Sequence, residues 1–235
     1  MGYICSMHRC YVPRLSESEL IIDADEAHHM MHVLRMGEGD QVELFDGQGG
    51  VASAVISFSS KRETRVLPGQ IEHNALPARS FHLAVAPTKN QDRIEWLVEK
   101  ACEIGIRSFI PVLCRHSERK HVNMERIRKV VLSATRQSGG YWLPECPEPM
   151  TFESFVRNRP AGVAFIAHCR DGERVPLKSI SVEENALVLI GPEGDFHEEE
   201  IALALESGFN PLSLGDKRLR TETAALVATV AFNLR

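Results

Sequence analysis

From Phe81 onward the chain alternates short apolar runs with longer stretches of helical periodicity. "FHLAVA" (81–86), "SFIPVL" (108–113), "GVAFIAH" (162–168), "ALVLI" (186–190) and "PLSL" (211–214) show little of the polar alternation of a half-solvated strand. Such runs belong to strands buried on both faces, the condition of a parallel sheet covered by helices. The intervening segments supply those helices. "DRIEWLVEKACEIG" places Ile94, Leu97, Val98, Ala101 and Cys102 on one face and offers Gly105 as a C-terminal cap. "NMERIRKVVLSATRQS" turns Ile127, Val130, Val131 and Ala134 inward and its basic residues outward. "EEEIALALESG" starts acidic, as the helix dipole favours, and stops at Gly208. "TETAALVATVAFNL" is apolar nearly all round, so packing on both sides is expected. Strand–helix alternation of this kind predicts an α/β domain over residues 80–235.

The first 75 residues follow a different pattern. "QVELFDG" alternates and turns at Asp46-Gly47, and "GVASAVISFSS" and "ETRVLPGQIE" follow. Between "ELIID" and "QVELF", the stretch "DEAHHMMHVLRM" reads as a short helix ended by Gly37 and Gly39. Strands at this spacing predict a small β-barrel domain over 1–75, joined to the second domain by the linker "HNALPARS" (73–80).

Several classes are excluded. No apolar run approaches the roughly 18 residues of a membrane span, and the start "MGYICSMHRC" lacks a secretory core and cleavage site. It meets the loose myristoylation pattern at Gly2 and Ser6, which is too short to carry weight. The six cysteines (5, 10, 102, 114, 146, 169) form no C-x-x-C pair and read as small hydrophobes in a reduced, cytoplasmic setting. His28 and His32 have the i, i+4 spacing of zinc ligands but no third partner in the sequence, so no metal is expected. The net charge of −5 hides an uneven distribution. Residues 1–75 carry six Lys and Arg against eleven Asp and Glu, whereas residues 107–136 carry eight against two. That basic segment is either a solvated helix face or a surface for a phosphate backbone.

Two strand-to-helix turns hold the chemistry. "LIGPEGDFHEEEI" bends at Gly191 and Gly194, where the missing Cβ lets a ligand approach the amides. "LSLGDKRLRTETAA" passes through Gly215 to a loop bearing Arg218 and Arg220, then to a helix that Thr221 or Thr223 could cap. Neither turn is a dinucleotide fingerprint or a P-loop. Ligands of open parallel sheets sit at the carboxyl ends of strands, so the two turns are expected to share one pocket, with backbone groups for a flat heterocycle and a cation above it.

Together with "HHMMHVLRMGEGDQVELFDGQG" and "KNQDRIEWLVEKACEIGI", the motifs "GPEGDF" and "LGDKRLRTETAA" resemble the RsmE family, 16S ribosomal RNA uridine-N3 methyltransferases of the SPOUT superfamily. The resemblance implies a PUA-like β-barrel followed by a parallel-sheet domain with a C-terminal trefoil knot. It also implies S-adenosylmethionine as methyl donor, 16S ribosomal RNA in the small ribosomal subunit as substrate, and a homodimer through the knotted domains. The cofactor pocket it implies is formed by His168, by Leu189, Ile190, Gly191, Pro192 and Gly194, and by Ser213, Leu214, Gly215 and Leu219. Two positions depart from the family pattern. Gly194-Asp195-Phe196 stands where Gly-Gly-Phe is common. Arg136-Gln137-Ser138-Gly139-Gly140 stands where Glu-Gln-Ser-Gly-Arg is frequent, so no role of that arginine passes to Gly140. Family members begin just before a strand like "HRCYVP", which makes Met7 the expected start.

Methylation at N3 of uracil requires loss of the N3 proton or stabilisation of the resulting anion. Arg220, beside a helix N-terminus, is the expected cation for that anion. Glu193 has two readings, proton acceptor or acceptor for turn amides. RNA contacts are expected from Arg35, Arg115, Arg119, Lys120 and Arg136. Tyr141-Trp142 either stacks on an unpaired base or packs under the loop before Pro144. The alternatives to the leading reading are the same fold acting on another RNA site and a non-catalytic RNA-binding dimer.

Overall fold

The computed structural model of the protein describes residues 7–60, 63–170, 172–180 and 185–233. The expectations for Gly2, Ser6 and a start at Met7 turn on residues 1–6, outside that set. Two compact units emerge. One comprises residues 1–76 together with 135–143, and the other residues 77–134 and 144–235. No helix among the described residues is long and apolar enough to cross a membrane.

The first unit is built on a five-stranded sheet of order β1-β3-β4-β5-β2. Its strands are β1 (His8–Tyr11), β2 (Leu20–Ile21), β3 (Gln41–Phe45), β4 (Gly50–Ser59) and β5 (Thr64–His73). β1 and β3 run parallel and the remaining pairs antiparallel. The β4–β5 pair slips register between Ala52 and Ala54 and again between Ile56 and Phe58, which bends the sheet into a half-barrel. Helix α1 (Ala24–His32), capped by Asp23, drops Ala27 and Met30 into the hollow beside Cys10, Val42, Leu44, Ile56 and Val66. Burial lifts the Cys10 thiol to about 12, so it acts as a small hydrophobe.

Residues 135–143 belong to this unit although they follow a helix of the other. The reason is a run of backbone groups that the barrel satisfies. Arg9 donates to the carbonyls of Thr135, Arg136 and Gly140. The Gly49 amide donates to the Tyr141 carbonyl, and the Leu143 amide to the Gly47 carbonyl. Trp142 donates through Nε1 to the Asn74 carbonyl at 3.2 Å, which favours packing over base stacking for that indole. Arg136 pairs with Glu26, which His8 also contacts at 2.6 Å. His8, Cys10 and Glu26 bring three ligand types within 4.8 Å of one another, but the guanidinium on Glu26 opposes a cation there.

The second unit contains β6 (Phe81–Val85), β7 (Ser108–Leu113), β8 (Met150–Thr151), β9 (Val163–Ala167), β10 (Val175–Pro176), β11 (Ala186–Ile190) and β12 (Phe209–Ser213). The sheet order is β10-β12-β9-β11-β6-β7-β8, with every pair parallel. Alternate residues serve opposite faces. Leu187 and Leu189 of β11 join a core with Phe152, Phe155 and Val156 of α4 (Phe152–Arg157) and Ile201 and Ala204 of α5 (Glu198–Glu206). Phe81 and Phe165 meet Phe232 of α6 (Thr221–Asn233), which also packs on α2 (Gln91–Ile104). α2 ends as expected at Gly105, whose φ of 113° places it in the left-handed region. The helix of the basic segment, α3, spans Met124–Ser138. α6 packs on α2 and on β6 and β11, as its nearly continuous apolar surface leads one to expect, and leaves Val230 39% exposed.

The Glu26 carboxyl lies below its ordinary value near 4.5. Burial pulls it up, but the His8 hydrogen bond and the Arg136 guanidinium outweigh burial. A depressed carboxyl contributes stability above its unfolded value, and that stability is lost as the pH falls through the native one. Thermal unfolding followed from neutral pH into acid should therefore show an acid limb that Glu26→Gln flattens; identical limbs would refute the pairing. Arg136→Ala should cost about 1–3 kcal/mol at neutral pH in urea unfolding.

Candidate active site

β9, β11 and β12 are parallel and end at one edge of the sheet, so the segments after them converge. They enclose a cavity of about 360 Å³, the size of small-molecule sites. Its apolar lining includes Ile190, Leu212, Leu214, Leu219 and Ala224; its polar lining includes His168, Glu193, Asp195 and Arg220.

Local sequence explains the shape. A Cβ at Gly191 would fall 2.8 Å from the ring of Phe196, which is fully buried, so only glycine fits above that ring. Gly215 adopts φ 122°, open to glycine alone at little cost. Thr221 is the first residue of α6, but its hydroxyl does not cap the helix. It donates to the Gly191 carbonyl at 3.0 Å and so ties the two turns together. Arg218 adds a second tie, from Nη2 to the Glu193 carbonyl at 3.2 Å.

Arg220 is exposed, lines the cavity and forms no ion pair among the described residues. It precedes α6, where unpaired helix amides add positive potential. Glu193 accepts from the Lys89 amide at 3.2 Å. Its carboxylate thus binds a turn amide, one belonging to the loop after β6 rather than to its own turn. His168 is 9% exposed, and its Nδ1 is buried with no hydrogen-bond partner. Burial lowers its pKa, with Asp195 offsetting part of the effect. Such a buried polar atom, without a partner among the described residues, is uncommon in a folded chain.

Of the pocket residues expected from sequence, His168, Ile190, Gly191, Pro192, Leu214, Gly215 and Leu219 line the cavity, as do Arg220 and Glu193. Three others do not. Leu189 points into the core beneath. Gly194 faces His116, with 3.4 Å from its would-be Cβ to that side chain. Ser213 accepts from the Gly215 amide at 3.4 Å. Sequence reasoning left out Cys169, Arg174, Asp195 and Thr221, which also line it. Asp195 and Cys169 adjoin chosen residues and were within reach; nothing in the sequence marks Arg174, which donates to the His168 carbonyl at 2.8 Å.

The cations proposed for RNA are mostly engaged. Arg115 bonds His197 and Glu199. Arg119 donates to the carbonyls of Thr88 and Lys89. Arg126, Arg128 and Lys129 of the same segment pair with Glu95, Glu148 and Glu125. Arg136 is held by Glu26. Lys120 and Arg35, which adopts φ 58°, are exposed.

Similarity to known proteins agrees with this geometry. The RNA methyltransferase domain family matches residues 75–233, and the RNA methyltransferase PUA domain matches residues 22–66. The ribosomal RNA small subunit methyltransferase E of Synechocystis is 30% identical over 94% of this chain and 74% of its own length. A crystal structure described as a "probable rRNA-methyltransferase", from Porphyromonas gingivalis, superposes with TM-score 0.89 at 35% identity, covering 97% of this chain and all of that one. The ribosomal RNA small subunit methyltransferase E of Neisseria gonorrhoeae, solved bound to S-adenosyl methionine, gives TM-score 0.86 at 25% identity over 97% of this chain and 98% of that one. With two-domain matches in order and likeness along nearly the whole length, the chain belongs to the RNA methyltransferase family, among the ribosomal RNA small subunit methyltransferase E proteins.

Proposed function

We propose that this protein methylates N3 of a uridine in 16S ribosomal RNA, with S-adenosylmethionine as donor. The observation that carries the reading is the cavity itself, two glycine turns locked by Thr221, with His168 on one wall and on another Arg220, which has no ion pair among the described residues. The site fits an adenosyl group. The glycines let a ligand come close to the backbone, leucine and isoleucine side chains provide apolar walls, and His168 adds a polar ring to the lining. His168, Gly191, Gly215 and Leu219 would hold the donor, and bound S-adenosylmethionine supplies an electrophilic methyl group on its sulfonium. The chain's own task is alignment and electrostatics. Arg220 stabilises the anion that develops over O2 and O4 when N3 loses its proton. Glu193, already bonded to the Lys89 amide, is better suited to fixing the adjacent turn than to taking the proton.

The trefoil knot, the homodimer and a cytoplasmic location form part of the same reading. The insertion of β12 between β9 and β10 is compatible with a knotted C-terminal region, as is the packing of α6 on β6 and β11. Trp96 on α2 and Val230 on α6, exposed on two helices that pack together, support a dimer contact. RNA binding rests on Lys120 and Arg35, the candidate cations without an ion pair among the described residues, and on the engaged arginines once RNA competes for them. Substrate affinity should accordingly fall with added salt.

Two outcomes test this reading. Arg220→Ala should keep S-adenosylmethionine affinity within about threefold while kcat on 16S RNA falls about 100- to 1,000-fold; near-parental turnover would remove Arg220 from the chemistry. Cys169 is the exposed cysteine at the cavity, whereas Cys10, Cys102 and Cys114 are buried. Alkylation by N-ethylmaleimide, followed by peptide mass spectrometry, should be slowed at Cys169 by S-adenosylmethionine. An unchanged rate at saturating donor would place the donor elsewhere.

A further inference from the structure

Asp195 is one of two described non-glycine residues with positive φ, at 65°. L side chains rarely adopt that conformation, and aspartate is among those that tolerate it. Its surroundings show what holds it there. The Asp195 amide donates to the Pro192 carbonyl at 3.0 Å, and the His116 ring donates to the Asp195 carbonyl at 3.0 Å. Of the carboxylate oxygens, Oδ1 accepts from the Phe196 amide at 2.9 Å. Oδ2 reaches across to the segment after β9 and accepts from the Cys169 amide at 3.0 Å. One side chain therefore joins the turn after β11 to the segment bearing His168, the ring with the orphaned nitrogen. Both ends of the link border the cavity.

We infer that Asp195 is a positioning residue for the donor pocket. Its carboxylate fixes the backbone at Cys169 and thereby the place of the His168 ring against the ligand. A glycine at this position would suit the backbone at least as well but would supply no link. The inference rests on the proposal that this cavity takes S-adenosylmethionine. The role is one of ligand binding rather than bond making, so its loss should raise KM and leave kcat alone. It is also distinct from a charge effect. A carboxylate acting through its charge would favour the cationic sulfonium donor over the neutral thioether product, whereas a positioning link serves both alike.

The test compares Asp195→Gly and Asp195→Asn with the parent. Calorimetric titrations use S-adenosylmethionine and S-adenosylhomocysteine, and hydrogen exchange follows the peptide containing Cys169. Asp195→Gly should fold, with Tm within about 4 °C of the parent. It should bind both ligands about 5- to 20-fold more weakly, a loss of roughly 1–1.8 kcal/mol, with faster exchange at Cys169 and kcat within about twofold. Asp195→Asn tolerates the same φ but has one acceptor oxygen for the two amides that the carboxylate serves, so it should recover part of the binding. Parental affinity for both ligands in Asp195→Gly overturns the proposal, as does a loss confined to the sulfonium ligand. If Asp195→Gly does not fold, the asparagine variant decides: weakening of one ligand only, or a fall in kcat at unchanged KM, is equally fatal. A parent protein that binds neither ligand sinks the assignment of the cavity itself, an outcome separate from failure of the Asp195 link.

Discussion

The Thr221 hydroxyl reaches the Gly191 carbonyl from a position only 5% exposed, and that bond joins turns that leave the sheet from β11 and β12, with β9 between them. Without it, each turn would be an ordinary strand-to-helix connection. With it, Gly191 is held above the Phe196 ring on one side, and the start of α6 on the other, so one rigid rim surrounds the cavity. A buried donor and a buried acceptor that satisfy one another cost a good deal to separate, because neither has water in reserve. The free guanidinium of Arg220 owes its position to this frame, since it is the residue immediately before the threonine.

Much of the α/β unit was legible because its signals are local. Strands buried on both faces carry continuous apolar runs, and α2 displayed its five inward residues and its glycine cap at helical spacing. The two-residue strands β8 and β10 and the six-residue helix α4 are too short to show a period, and none of them was anticipated. The site divided the same way. Glycines at strand ends are visible in a sequence, while bonds that cross it are not. A threonine at a helix start suggests a cap, as Thr221 and Thr223 both do; the Thr221 hydroxyl instead bonds a carbonyl 30 residues away. The Glu193 carboxylate likewise accepts from an amide 104 residues away, a bond that no local pattern displays.

Charge in the sequence does not show how the charges pair. A run of eight cations against two anions looks like a surface awaiting a polyanion. In the folded chain Glu95, Glu148 and Glu199 come from other segments to meet Arg126, Arg128 and Arg115. Exposed pairs of this kind contribute little stability, so their partners can be exchanged for phosphates at small cost. Arg136 differs. Its partner carboxylate, Glu26, is largely shielded and shared with a histidine, so that pair is harder to exchange.

The nine residues from Thr135 to Leu143 complete the first unit from within the sequence of the second. During synthesis the barrel must therefore wait, with Arg9 and the rims of Gly47 and Gly49 unmet, until all of α3 and the segment after it, to Leu143, have also left the ribosome. A gene cut after Leu76 would encode every strand of that sheet and still lack a wall of it, so the two units cannot be exchanged between relatives as simple consecutive cassettes.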